Sequence, residues 1–285
     1  IENDKATIDD IKTSYKFVNE LLLKINNENK KIKIILPSED KFKYAFINTI
    51  QQFKLPDNFI SHLERLKDSA RMLNIKHPGD IYIESVLERA IKNSPFESDD
   101  LTIKLLVLIE GDPSYGALPE KSKLLISIKE FSGINKAISL TLSKNPRFSS
   151  DTLIEHKTTN YFFNVIEKRV AIARGFDDSI LINEKGLITE TTSGNLFWVK
   201  GDKVFTPHLR NGLLPGITRG YVIEKLKENK IKVVEDDFEV GSILFPEAIF
   251  ITNSVHTMIE VENIGNMIQP TLTNKLFPDI KQLFL

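Results

Sequence analysis

Apolar positions recur at helical spacing in two long stretches of the first part of the chain. Over 8–26, Phe17, Leu21, Leu22 and Ile25 share one face, and over 58–75 Ile60, Leu63, Leu66, Ala70 and Leu73 do so. Residues 80–93 read as a further helix. "KIKIIL" (31–36) reads as a strand. "LTIKLLVLIEGD" (101–112) and "KSKLLISIKEF" (121–131) read as paired strands, because the Pro, Gly and Ser of "DPSYGALPE" between them signal a turn. The order helix, strand, helix, helix, strand, strand suits a small α+β domain.

The polar stretch "SKNPRFSSD" (143–151) leads into a helix expected from Thr158 to about Arg174. Short strands follow at 179–183, 187–192, 195–201 and 203–207. A bend at Pro215 and Gly216 precedes a helix beginning at about Thr218, with Val222, Ile223 and Leu226 on one face. Strands at 230–236 and 248–254 complete the pattern. We therefore expect domains over 1–132 and 151–285 with an interdomain segment at 133–150, the second rich in short strands around one or two helices. There are no internal repeats.

Composition narrows the function classes. The 285 residues are 41% hydrophobic, enough for a sizeable core, and the net charge is −1 with 27% charged residues. That balance makes nucleic acid and anionic membranes unexpected partners; the lysines of "ENKKIKI" (28–34) read as a solvated strand edge. The absence of cysteine excludes disulfides, thiolate zinc sites and a cysteine nucleophile, and fits a cytoplasmic location. Apolar runs such as "LLVLI" (105–109) are too short to span a bilayer. Ile1 in the place of Met implies a trimmed start, and no signal peptide is expected in what remains.

Four local patterns carry candidate chemistry. The start of the helix after Gly216 offers free N–H groups to an anion, most often a phosphate. Lys157 stands in "EHKTTNY" just before a helix, Glu190 lies on the strand of "TETTSGNLFWV" (189–199), and Arg65 in "HLERL" falls among inward-facing apolar residues. Taken singly, these read as a hydrated helix start, a solvated lysine, a strand running into a turn and a snorkelling arginine. Together, and with "TPHLRNGLLPGITR" and "AIFITNS", they resemble the class IV (fold type IV) pyridoxal-phosphate enzymes, the branched-chain and D-amino-acid aminotransferase and 4-amino-4-deoxychorismate lyase group, over about residues 59–265.

The resemblance implies an α+β protein of two domains, the larger a pseudobarrel, that binds pyridoxal 5′-phosphate and acts as a homodimer on a small molecule bearing an amino group. It implies no metal. The backbone of Ile217 and Thr218, the Thr218 hydroxyl, Arg65, Ser254 and Ser193 would hold the phosphate. Lys157 would form the Schiff base with the cofactor and then move the proton at the substrate's α-carbon. Glu190 would face the pyridine nitrogen and keep it protonated, and Tyr161, one helical turn after Lys157, would hydrogen-bond the ring oxygen O3′. Asn195, Leu214, Gly216 and Asn253 belong to the same cofactor set. For substrate, the candidates are Thr49 in "YAFINTI" (44–50), Lys104 in "TIK" and His256.

The reaction is left between two. "NLFWVKG", "ITNS" and "HKTTN" resemble the lyases, which release pyruvate and 4-aminobenzoate, and Thr102-Ile103-Lys104 stands where branched-chain aminotransferases have Tyr-x-Arg. The alternative is a branched-chain or D-amino-acid aminotransferase. A cofactor-binding homologue without activity is a further reading, as is a binder of nucleotides or sugar phosphates, which gives Lys157 and Glu190 no role.

Overall fold

The structure is a computed structural model that describes residues 58–284 apart from 97–99, 113, 115, 134–135, 267 and 272–274. The helix expected over 8–26, the strand over 31–36 and Thr49 lie outside the described residues. The chain divides into two compact units, one ending at Phe131 and the other running from Ser132.

In the N-terminal unit, helices α1 (Phe59–Met72) and α2 (Asp80–Lys92) precede β1 (Leu101–Glu110) and β2 (Lys121–Glu130). The two strands pair antiparallel from Leu101 opposite Glu130 to Glu110 opposite Lys121. Val86, Leu87 and Ala90 of α2 pack on Ile126, with Phe59, Ile103, Leu105, Leu124 and Ile128 at the margin. Leu63 and Ala70 of α1 are buried as the helical spacing predicts, but Ile60 is 58% exposed. The apolar contact of this first helical turn comes from Phe59 instead.

The C-terminal unit contains β3 (Ile138–Leu142), α3 (Phe162–Ala173), β4 (Asp178–Ile182), β5 (Ile188–Thr191), β6 (Asn195–Lys200), β7 (Lys203–Pro207), α4 (Ile217–Glu228), β8 (Lys232–Asp236), β9 (Ala248–Thr252), β10 (Ile259–Ile264) and α5 (Leu276–Gln282). Its sheet has the order β5-β4-β3-β10-β9-β6-β7-β8. The sheet curls on itself. Beyond β8, the Phe238 carbonyl accepts from Ile188 N of β5 at 2.7 Å, and Leu187 bridges Glu239. This contact joins the two edges and leaves few unpaired strand groups.

The core follows from strand alternation. Leu196 and Trp198 of β6, with Ile249 and Ile251 of β9, point to one face and join Leu140, Ile180 and Ile188. Phe197 and Val199, with Ala248 and Phe250, point to the other and meet Val222, Ile223 and Leu226 of α4 and Phe277 and Ile280 of α5. Each such side chain contributes about 1.5–3 kcal/mol of hydrophobic stabilisation. Phe197 and Phe250 stack with centroids 5.1 Å apart. Among the described residues, no helix is long and apolar enough to cross a membrane.

Two crossovers connect parallel neighbours: β3–α3–β4 and β7–α4–β8. Each sends a loop from the C-terminal end of its first strand into a helix, a recurrent place for ligands in α/β units. The first loop carries Lys157 and Tyr161, the second Leu214 and Gly216. Strand β3 lies within 133–150, the stretch assigned from sequence to an interdomain segment, and it is an inner strand with parallel partners on both sides.

Candidate active site

Glu190 lies in the buried run of β5, next to its last residue Thr191, and the tight turn 192–194 brings Asn195 to the start of β6. The Asn195 amide donates to Glu190 Oε2 at 3.2 Å and to the Leu214 carbonyl at 2.9 Å. The other carboxylate oxygen accepts from Arg147 Nη1 at 2.5 Å, in a pair that is buried on both sides. Burial raises the Glu190 carboxyl above the usual glutamate range, while the Arg147 charge and hydrogen bond, the Leu214 backbone and the Lys157 charge oppose it.

Arg147 is the site residue that the sequence reading missed. It stands in a polar stretch with no periodic signal; the cue was that a buried carboxylate needs a buried cation. Its backbone extends alongside β4, with Arg147 N donating to Ile182 O at 2.8 Å. Carboxylates fix both flanks of the loop: Glu167 accepts from Ser143 Oγ and the Asn145 amide, and Glu184 accepts from Ser149 N and Oγ.

Lys157 lies at the far end of this loop, with Nζ 4.4 Å from the centre of the Tyr161 ring. The expected helix from Thr158 begins only at Phe162, with Tyr161 as its N-cap. His156 is extended, and the Thr158 hydroxyl accepts from Asn160 N at 3.2 Å, a local turn that competes with helix. Lys157 and Tyr161 are thus neighbours across a turn, not along a helix.

At the start of α4, Gly216 is the N-cap and supplies no side-chain cap. A Cβ on Gly216 would lie 2.1 Å from Asn195 Oδ1, so only glycine lets the backbone come this close. The Thr218 hydroxyl lies 3.4 Å from Ser254 Oγ. Thr252, 1% exposed and cross-strand neighbour of Asn195, has a hydroxyl without a hydrogen-bond partner among the described residues. The N–H groups of Ile217 and Thr218 precede the first helical bond, from Gly220 N to Gly216 O. An uncapped helix start with the Thr218 and Ser254 hydroxyls beside it fits an anionic group, as the phosphate of pyridoxal phosphate is.

The remaining candidates divide. Ser193 donates to Asp178 Oδ2 at 2.5 Å, which engages its hydroxyl within the protein. The Asn253 side chain accepts from Val255 N and His256 N, each at 3.0 Å, and so shapes the loop that carries His256. Thr257 in that loop has φ of 49°, a costly conformation for a β-branched residue. Arg65 on α1 and Lys104, exposed on β1, belong to the N-terminal unit.

The amino-transferase class IV family model matches residues 54–264. A Methanocaldococcus jannaschii protein assigned as a branched-chain-amino-acid aminotransferase is 30% identical over 78% of this chain and 79% of its own length. The aminodeoxychorismate lyase of Bacillus subtilis is 25% identical over 82% of this chain and 84% of its own. A crystal structure from Legionella pneumophila assigned as a 4-amino-4-deoxychorismate lyase superposes with a TM-score of 0.73 at 27% identity, covering 79% of this chain and 83% of that one. With the buried Glu190 centre and the uncapped start of α4 in one unit, these matches establish that the chain belongs to the class IV aminotransferases, pyridoxal-phosphate-dependent enzymes of fold type IV.

Proposed function

We propose that this enzyme is a 4-amino-4-deoxychorismate lyase, which releases pyruvate and 4-aminobenzoate. The observation that carries the reading is the joint likeness of "HKTTN", "SGNLFWVKG" and "ITNS" to lyases, together with the absence of a Tyr-x-Arg pair at 102–104. Bound pyridoxal phosphate supplies an electron sink for the carbon that loses its proton. Ile217, Thr218 and Ser254 would hold the phosphate, a role the family resemblance also gives to Arg65. Glu190, paired with Arg147, would face the ring nitrogen and keep it protonated. Tyr161 orients the ring oxygen. Lys157 would hold the cofactor's aldehyde end and would be the base for the proton on the substrate carbon. The family resemblance makes Lys104, Thr49 and His256 the candidates for substrate contact and implies a homodimer.

The identity of 30% with the Methanocaldococcus jannaschii protein supports a second reading, a branched-chain aminotransferase. The two separate in one experiment. Cofactor-loaded protein is given aminodeoxychorismate and 4-aminobenzoate is followed, with Lys157→Ala as the blank. Release that depends on Lys157 is the expected result. No release, from protein whose visible cofactor band depends on Lys157, overturns the lyase and directs the assay to amino-acid and keto-acid pairs.

A further inference from the structure

Helix α3 turns a polar face inward. Asn164, Glu167, Lys168 and Ala171, at i, i+3, i+4 and i+7, lie on one stripe. Glu167 and Ala171 are buried, while Phe162 and Ile166 on the opposite side are 73% and 37% exposed. A helix that buries polar side chains must satisfy each of them. Glu167 fixes the loop before Arg147, and Lys168 meets the buried Asp178 at 3.5 Å. Asn164 does something more specific. Its Oδ1 accepts from Arg147 Nη2 at 2.7 Å, and its Nδ2 donates to the Thr192 carbonyl at 2.9 Å.

We propose that Asn164 is a positioning residue for the cofactor site: its amide holds Arg147 against Glu190 and ties the Glu190 hairpin to the helix that follows Lys157. The proposal rests on the reading in which Glu190 faces the cofactor's ring nitrogen. A guanidinium can present several N–H groups in its plane. With Nη2 held by Asn164 and the Phe163 ring 5.9 Å away, the guanidinium is oriented so that Nη1 donates to Glu190. An amide suits this place because it offers an acceptor to arginine and a donor to a carbonyl from one planar head. Aspartate keeps the shape and the acceptor but loses the donor and adds a charge that competes for Arg147.

The charged groups facing Glu190 are Arg147, Lys157 and Arg219. Beyond the turn, Asp178 and Lys168 form a pair of their own. Losing the hold on Arg147 therefore removes the largest influence that opposes the burial of Glu190, and its carboxyl takes up a proton at higher pH.

The test is a pH titration of pyridoxal-phosphate affinity and of the visible band in wild type, Asn164→Ala and Asn164→Asp, with thermal unfolding of each protein and Lys157→Ala as the blank. In both variants the acid-side loss of affinity is expected about one pH unit higher than in wild type, with roughly fivefold weaker binding at the wild-type midpoint and about tenfold weaker well below it. A lowered thermal midpoint with an unmoved pH midpoint overturns the proposal, because that is what a merely structural brace would do. If the alanine variant fails to fold, the isosteric aspartate variant decides. A wild-type protein with no Lys157-dependent band overturns the underlying cofactor reading. A normal wild-type band with unmoved variants overturns the role of Asn164 alone.

Discussion

Asn195 Oδ1 occupies the space that a side chain on Gly216 would need, 2.1 Å from its ideal Cβ position. The backbone there, φ −65° and ψ 132°, is open to any residue, so the constraint is steric and not conformational. Gly216→Ala must push aside the amide that donates to both Glu190 and Leu214. We expect a loss of about 1–3 kcal/mol in urea unfolding, together with weaker pyridoxal-phosphate binding. Wild-type values for both would show that the amide has room to move.

The raised carboxyl of Glu190 predicts a pH dependence with a definite sign. As pH rises through the usual glutamate value, the unfolded chain gives up this proton first, which favours unfolding. The cost of Glu190 to the apoprotein therefore grows until the pH passes its raised folded value and is constant above it. The difference in thermal midpoint between wild type and Glu190→Gln is the measurement. It is expected to shift in favour of the glutamine variant across that window; the opposite slope would mean that Arg147 outweighs burial.

Asp178 is the anchor of the turn between Glu190 and Asn195. It accepts from Ser179 N, from the Thr192 hydroxyl and from the Ser193 hydroxyl, and it is buried. Asp178→Ala leaves these donors without partners, and we expect a loss of roughly 2–3 kcal/mol in chemical unfolding. Because the clamp includes Ser193, the single variant Ser193→Ala should cost less, with Thr192 and Ser179 still bound. Equal losses would place the stabilisation in the serine alone.

Much of this molecule was legible in its sequence, and the failures have physical causes. The hairpin β6–β7 declared itself through alternation and a Gly201–Asp202 turn, and the start of α4 through Pro215, Gly216 and the apolar stripe that follows. Strand β3 did not: "ISLTL" alternates apolar and polar, but it is only five residues long and flanked by polar residues, and as an inner strand with parallel partners it buries Ser139 and Thr141 as well. Strand β10, "IEVENI", alternates, but two of its polar positions are acidic and β-propensity alone does not favour it. Glu190, Asn195 and Gly216 stood within recognisable motifs. Arg147 and Asn164 did not, since their meaning lies in contacts made across the sheet, over 43 and 28 positions of sequence.

The inward polar face of α3 has a consequence for the order of events during folding. Hydrophobic collapse drives α4 onto the sheet through Val222, Ile223 and Leu226, but it gives α3 little reason to dock by its Asn164 side. Those amide and carboxylate contacts exist only once β4 and the 191–194 turn have formed to receive them. Helix α3, with Lys157 just ahead of it, is therefore expected to be the late-forming and first-opening part of this unit. In native-state hydrogen exchange its amides should exchange ahead of those of β6 and β9, so Lys157 would stand beside the least stable foldon of its unit.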